Sequence, residues 1–498
     1  MKHAPQTAIR GIFSVGLINF IARLVGYGKH VLIAAYIGLT APLDAFYMAM
    51  SILSLAIFTF GDVFDSLGVP RLVGTLQKEG EDSFRAMAGS ILAFSLLLTL
   101  LLGVILLLTS PWLPWIAPGF NPDKKILIQR GLFFLSPVIL LYLPYHAMGS
   151  FLRSRRRFQV FYVSELIVAV VSLSVIVLWR EYTDVVPVSV SISYFVAFLY
   201  ILLVGREEFR FPDRLIIWDK IREFARLLMG LLPLYLVGYL FAIVDRVFAS
   251  YLATGGVSAL TYGMLIAMIP ASVLMMENIF ITPLSESDDK GEMIRNIMKG
   301  ILIISIPLAI FSVANSRHIV RAALERGVFT SLSTEMTSDA LTFLAISIPA
   351  TFINPVSMRL FQILGKLKSI AIVGLSGVVV NAALNCLFLR MGLGIQGLAL
   401  ATSVSYYVIS AGIFILLERL GIRILKGDVI KVLGISTGIG LLSLAIAHAV
   451  PLSPDTLAGI LLRGTTFLVS VLILVLLVPN RDFVFWRKTV AREVLRSK

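Results

Sequence analysis

The stretch "ARLVGYGKH", residues 22–30, lies inside the run "GIFSVGLINFIARLVGYGKHVLIAAYIG", residues 11–38, and its reading decides the fold. Apart from Arg23, Lys29 and His30, the run is almost wholly apolar. It is long enough to cross a bilayer as a helix, which takes about 20 residues. Arg23 then sits roughly 18 Å from the helix start at 1.5 Å per residue, out of easy reach of either surface. Against lipid a mid-span Arg costs about 2.5–3.5 kcal/mol, so such a residue faces a wet cavity or a partner. Lys29 lies roughly 240° further round the helix, so the two cations share no narrow face. Gly26 and Gly28 thin the helix between them and leave room for one broad polar cavity.

Working outward, the 498 residues are 58% hydrophobic and 14% charged, with a mean hydropathy of +0.92. A soluble domain is about a quarter charged. The fold class is therefore an all-α polytopic membrane protein. Apolar windows predict fourteen spans near 11–37, 43–70, 85–109, 127–152, 159–178, 185–204, 226–252, 257–284, 296–315, 338–364, 369–389, 395–417, 429–450 and 457–479. Lys and Arg outside the spans favour one side by about four to one, with "RSRRRF" (153–158) and the 205–226 loop as the strongest markers. By the positive-inside rule both termini are expected in the cytoplasm. The N-terminal "MKHAPQTAIR" shows no small-residue cleavage site and is read as retained.

"KHVLIAAYIG" (29–38) and "DRVFASYLAT" (245–254) each end a span before a short loop, a weak internal echo. With the loop pattern it predicts two pseudo-symmetric six-helix bundles, 1–205 and 226–418, joined by a linker at 206–225. Two further helices occupy 419–480 and a basic tail 481–498. Repeat-built transporters hold substrate near the midplane, which singles out Arg23, Lys29, Asp245 and Arg246. Asp44, at the start of the second span, suits a helix N-terminus as well as a substrate contact. Asp62, Asp65, Asp245, Glu277 and His30 are ion or gating candidates, and Glu165 is a further acid within a span. Arg130, Lys431 and Arg463 lie near span ends, where long side chains snorkel to the headgroups.

Several chemistries are excluded. Cys386 is the single cysteine, so no intramolecular disulfide framework exists. The five histidines show no metal-ligand spacing, and there is no P-loop. No segment outside the spans is long enough for an enzyme site, and no cofactor is expected. The net charge of +14 follows topology and anionic lipid rather than nucleic acid.

The motifs resemble, in order, those of the MviN/MurJ lipid II flippase family, which shares a superfamily with Wzx and MATE transporters. "ARLVGYGKH" is similar to its helix-1 basic stretch and "LDAFYMA" (43–49) to its Thr-Asp-Ala-Phe. "APGF" (117–120), "FASYLATGGVSALTYGM" (248–264), "ERGVFT" (325–330) and "NAALNCLFL" with "GIQGLALATSVS" (381–389, 394–405) follow. The resemblance implies alternating access and a cationic central cavity. An undecaprenyl-pyrophosphate-linked sugar would cross there from inner to outer leaflet of the bacterial cytoplasmic membrane. It also implies a lipid-tail groove at the last two helices, a monomer, and cell-wall synthesis partners, with membrane potential or a monovalent cation as the driving force. Three departures stand out. His30 occupies the place of an Asp, "TYGML" (261–265) stands where the family has Tyr-Ala-Asp-Arg, and the second span lacks a basic pair. Arg246 is expected to supply the missing charge. Alternative readings are a flippase for another lipid-linked oligosaccharide and a MATE-like exporter.

Overall fold

The computed structural model describes residues 4–205, 217–274, 290–424, 427–449 and 454–478, excluding the side chains of 4–15, 17, 19 and 290. Glu277, most of the 206–225 linker and the basic tail lie outside the described residues. Among them the chain is helical throughout. Seven helices run α1 Ala4–Ile37, α2 Ala41–Glu79, α3 Glu81–Thr109, α4 Pro122–Ser154, α5 Phe158–Leu178, α6 Val185–Gly205 and α7 Trp218–Ala249. Nine follow: α8 Gly256–Leu274, α9 Lys290–Ala314, α10 Ser316–Leu324, α11 Ser331–Ala345, α12 Ile348–Ile363, α13 Leu367–Arg390, α14 Gly394–Arg419, α15 Gly427–His448 and α16 Leu457–Leu477.

Thirteen of the described helices are long and apolar enough to cross a membrane, and counting the bent pair α11 and α12 as one span gives fourteen. Large apolar side chains such as Leu107 (72% exposed) and Phe133 stand outward, as lipid-facing surfaces require. The protein is a multi-pass membrane protein. The span expected as one helix over 338–364 is broken, with α11 and α12 meeting at 54°. Pro349, in the first turn of α12, lacks an N–H and cannot continue the α11 ladder. The short amphipathic α10 was not foreseen, because its nine residues carry no span signal. α2 contains a π turn at Ser54–Phe58, where the Thr59 hydroxyl donates to the Ser54 and Leu55 carbonyls.

Contacts group the chain into two compact units, Met1–Val257 with Arg326–Phe329, and Ser258–Glu325 with Thr330–Lys498. In the first unit α4 is the hub, touching α2, α3 and α6, while α1 packs along α5 and α5 along α6. α7 lies on α2 and α3, with Phe224 and Leu228 buried beside Phe64, Phe84 and Phe151. By chain order α7 opens the expected second bundle, whereas its packing puts it in the first unit. In the second unit α9 packs against α11, α12 and α15, α13 pairs with α14, and α15 with α16. α8 approaches α11 closely, with Gly263 against Ala340 and Leu341.

Candidate functional site

Four stretches singled out in the sequence converge on one end of the first unit. The Gly119 amide of "APGF" donates to the Ser250 hydroxyl at 3.1 Å. The Gly255 amide donates to Asp44 Oδ2 at 2.7 Å. The Val328 amide of "ERGVFT" donates to the Ala35 carbonyl at 2.9 Å, just before the α1–α2 turn. Gly327 (φ +61°) and Gly255 (φ +94°) both occupy the left-handed region. A Cβ on Gly327 would sit 2.1 Å from the Ala35 oxygen, so the motif needs glycine on two counts. These motifs build a scaffold at the ends of α1, α2 and α7.

Asp44 belongs to that scaffold. It is 1% exposed, accepts the Gly255 amide and lies 3.5 Å from Lys124 Nζ. The substrate contact expected at Asp44 thus meets a carboxylate already engaged by the protein, in the first turn of its helix where the dipole favours it. Lys124, which falls between the predicted third and fourth spans, is its buried counter-charge. An Asp at a helix start followed by a Lys in a turn opened by Asn-Pro gave no warning of this pairing.

Arg23, Lys29 and His30 lie half-buried on α1. A Cβ on Gly26 or Gly28 would meet nothing within 4 Å, so space is open beside the helix between the two cations. Arg246 reaches from α7 to α2, donating to the Ser51 hydroxyl and standing 5.7 Å from the Tyr47 ring centre. Asp245 is buried. α1 and α7 both belong to the first unit, so these cations are carried by one compact body.

Asp62 and Asp65, one turn apart on α2, enter a network the sequence reading missed. Tyr239 of α7 donates to Asp62 Oδ2 at 2.7 Å. Asp65 Oδ1 receives Arg153 Nη2 and lies 3.0 Å from His146 Nδ1, both on α4. Tyr145 of α4 donates to Glu165 of α5 at 2.6 Å. Gly61 and Gly68 of α2 admit Tyr142 and Ser150 of α4 at van der Waals contact, which brings the charged faces together. The signal was present as Asp62/Asp65 at i, i+3 and His146/Arg153 at i, i+7, one face of each helix.

In the second unit, Arg463 corrects an expectation. It was expected to snorkel, but is 7% exposed on the buried stripe of Gly459, Ile460, Phe467 and Ser470. Depth alone predicted snorkelling, whereas the helical stripe decides where the side chain goes. Lys431 is exposed, as expected. An open apolar groove of about 310 Å³ runs among α9, α12, α14 and α15, lined by Leu302, Ile306, Ile353, Tyr407, Phe414 and Leu433. On α10, His318 Nδ1 and Arg321 Nη1 each lie 3.0 Å from Asp455 Oδ1. His318 and Arg321 hold that carboxyl below the usual carboxylate range.

Apolar spans throughout, with fixed cations carried on α1 and α7 among them, define the class: a polytopic membrane transporter. The family profile described as "Lipid II flippase MurJ" matches residues 33–463. The chain belongs to the lipid II flippase MurJ family. It is 24% identical over 430 residues to the "Probable lipid II flippase MurJ" of Rickettsia prowazekii (strain Madrid E), covering 80% of this chain and 82% of that one. Its Aquifex aeolicus (strain VF5) namesake is 25% identical over 350 residues, covering 68% of each. The fold is similar to a solved lipid II flippase MurJ in an inward closed conformation, with TM-score 0.80, 19% identity, and 96% and 100% of the two chains covered. An inward-facing multidrug resistance MATE family transporter of the MOP superfamily follows at TM-score 0.65 and 13% identity, covering 83% and 99%.

Proposed function

We propose that this chain carries lipid II from the inner to the outer leaflet of a bacterial cytoplasmic membrane by alternating access. Arg23, Lys29 and Arg246 would hold the pyrophosphate, with both termini in the cytoplasm. The observation that carries the reading is the family match over most of the chain, joined to fixed cations within the apolar helix α1. A pyrophosphate cannot cross hydrocarbon bare. Cations in a wet site replace its hydration and counterions, Arg by bidentate contact and Lys as a point charge. The apolar groove beside α15 suits the polyprenyl tail. Membrane lipids surround the protein, a monomer is sufficient for the cycle, and no cofactor enters it.

Complementation tests this. The chain is expressed in a bacterium depleted of its own lipid II flippase, with Arg23→Ala as control and membrane abundance measured. Rescue by the wild type alone supports lipid II transport through the cationic site. Failure at normal abundance, together with flipping of another polyprenyl-linked glycan in proteoliposomes, moves the substrate to that glycan. The "TYGML" departure on α8 makes that the second reading.

A further inference from the structure

The α2–α4–α5–α7 network of the first unit does more than hold helices together. Its charges do not balance. Asp62, Asp65 and Glu165 present three carboxyls, while Arg153 is a guanidinium that meets Asp65, and Asp62 and Glu165 each accept from a tyrosine hydroxyl. Around His146 stand Asp65 and Asp62 from α2, Tyr142, Tyr145 and Arg153 from α4, Glu165 from α5, Tyr194 from α6, and Tyr239 from α7. Excess negative charge inside a membrane protein is costly, and the economical remedy is a bound proton or cation. Among the described residues no three His, Cys, Asp or Glu side chains are placed to hold a metal ion. The Tyr145 and Tyr239 hydroxyls also occupy carboxylate oxygens that a cation would need.

The histidine supplies the proton acceptor. His146 is 7% exposed, and its Nδ1 lies 3.0 Å from Asp65 Oδ1. That contact sets the imidazole beside a carboxyl that favours its protonated form, so His146 is the group that gains or loses the exchangeable proton. Arg153, two turns along α4 toward its end, meets the same Asp65 oxygen. The Asp65 side chain keeps 28% exposure, which gives protons a way in.

We propose that the Asp62–Asp65–His146–Glu165 cluster is a proton-binding site that couples proton exchange to the transport cycle. The transport half of this statement rests on the proposed function. Asp62 ties α7 to α2 through Tyr239, and Asp65 ties α4 to α2 one turn later. A proton bound at this turn changes both attachments at once. The π turn at Ser54–Phe58, whose Phe58 ring stacks on Tyr142 at 4.2 Å, lies one turn away and gives α2 a place to bend.

Two measurements on the full-length protein in lipid bilayers test it. The first is pH-jump infrared difference spectroscopy in nanodiscs between pH 5 and 8. An imidazole band and a shift of a carboxylate stretch should appear on acidification, with the carboxylate shift lost in Asp65→Asn and the imidazole band in His146→Gln, while the amide I band stays helical. Absence of a pH-dependent band that either variant removes overturns the site. The second is lipid II distribution between leaflets of proteoliposomes at clamped potential, with and without a one-unit pH gradient. One proton exchanged per lipid shifts the distribution by up to about tenfold. Wild type should shift, and His146→Gln should flip lipid II without the shift. Flipping that ignores the gradient overturns the coupling. Infrared bands present with no flipping of lipid II by the wild type leave the proton site standing and sink the substrate reading instead.

Discussion

The Gly255 amide and the Asp44 carboxylate meet at 2.7 Å, joining the turn after α7 to the first turn of α2, with Lys124 Nζ 3.5 Å from the same oxygen. Removing the carboxylate leaves a buried N–H and a buried ammonium without it. Asp44→Ala should therefore destabilise the protein by about 3–5 kcal/mol. Asp44→Asn should cost less, since its amide oxygen still accepts from Gly255. Thermal unfolding in detergent, read beside membrane abundance, checks the order. Unchanged melting with lost transport would instead make Asp44 a substrate contact.

Gly327 gives a second prediction for the same scaffold. Ala at this position meets both a left-handed backbone and the Ala35 carbonyl 2.1 Å from its Cβ. The backbone alone costs about 1–2 kcal/mol, and the clash with a main-chain oxygen has no flexible side chain to yield. Gly327→Ala should lower the melting temperature clearly, whereas Gly74→Ala, with open space around its Cβ, should leave it nearly unchanged. Equal effects would mean that the 326–329 segment is not seated on α1.

The spans were legible because length and apolarity are properties of single segments. Arg23 was legible too, since depth in a span needs no knowledge of neighbours. What escaped depended on pairing or on which face of a helix is covered. Lys124 falls between predicted spans, and only the fold sets Asp44 beside it. Arg463 looked like a snorkelling residue until its stripe proved buried. His146 and Arg153 were read as a scattered histidine and a topology signal, because nothing in one sequence says that α4 lies against α2.

On α1 the sharpest test separates charge from fold. Arg23→Ala should abolish lipid II transport at unchanged membrane abundance, and Arg23→Lys should restore only part of it, because an ammonium lacks the bidentate fork. Lys431→Ala, an exposed residue near the start of α15, should transport as wild type. Equal loss in Arg23→Ala and Lys431→Ala would remove the case for a cationic substrate site.

The last prediction concerns pH outside the membrane spans. Asp455 precedes α16 and pins α10 through His318 and Arg321, both 3.0 Å from its Oδ1. The hydrogen bond from His318, then Arg321, holds the carboxyl below its usual range. A depressed carboxyl stabilises the folded arrangement above its unfolded value and loses that contribution as pH falls through the folded one. The pinning of α10 should thus be intact at pH 7 and weaken below about pH 4. Asp455 is nearly half-exposed, so solvent screens the pair and the effect is modest. Hydrogen exchange of the α10 amides, corrected for intrinsic rates, should show protection falling a few-fold from pH 6 to pH 3. Asp455→Asn should lack that step and show the acid-like protection at every pH. A step that survives in Asp455→Asn would assign the pH response to another group, with Glu325, 3.5 Å from Arg321, the next to replace.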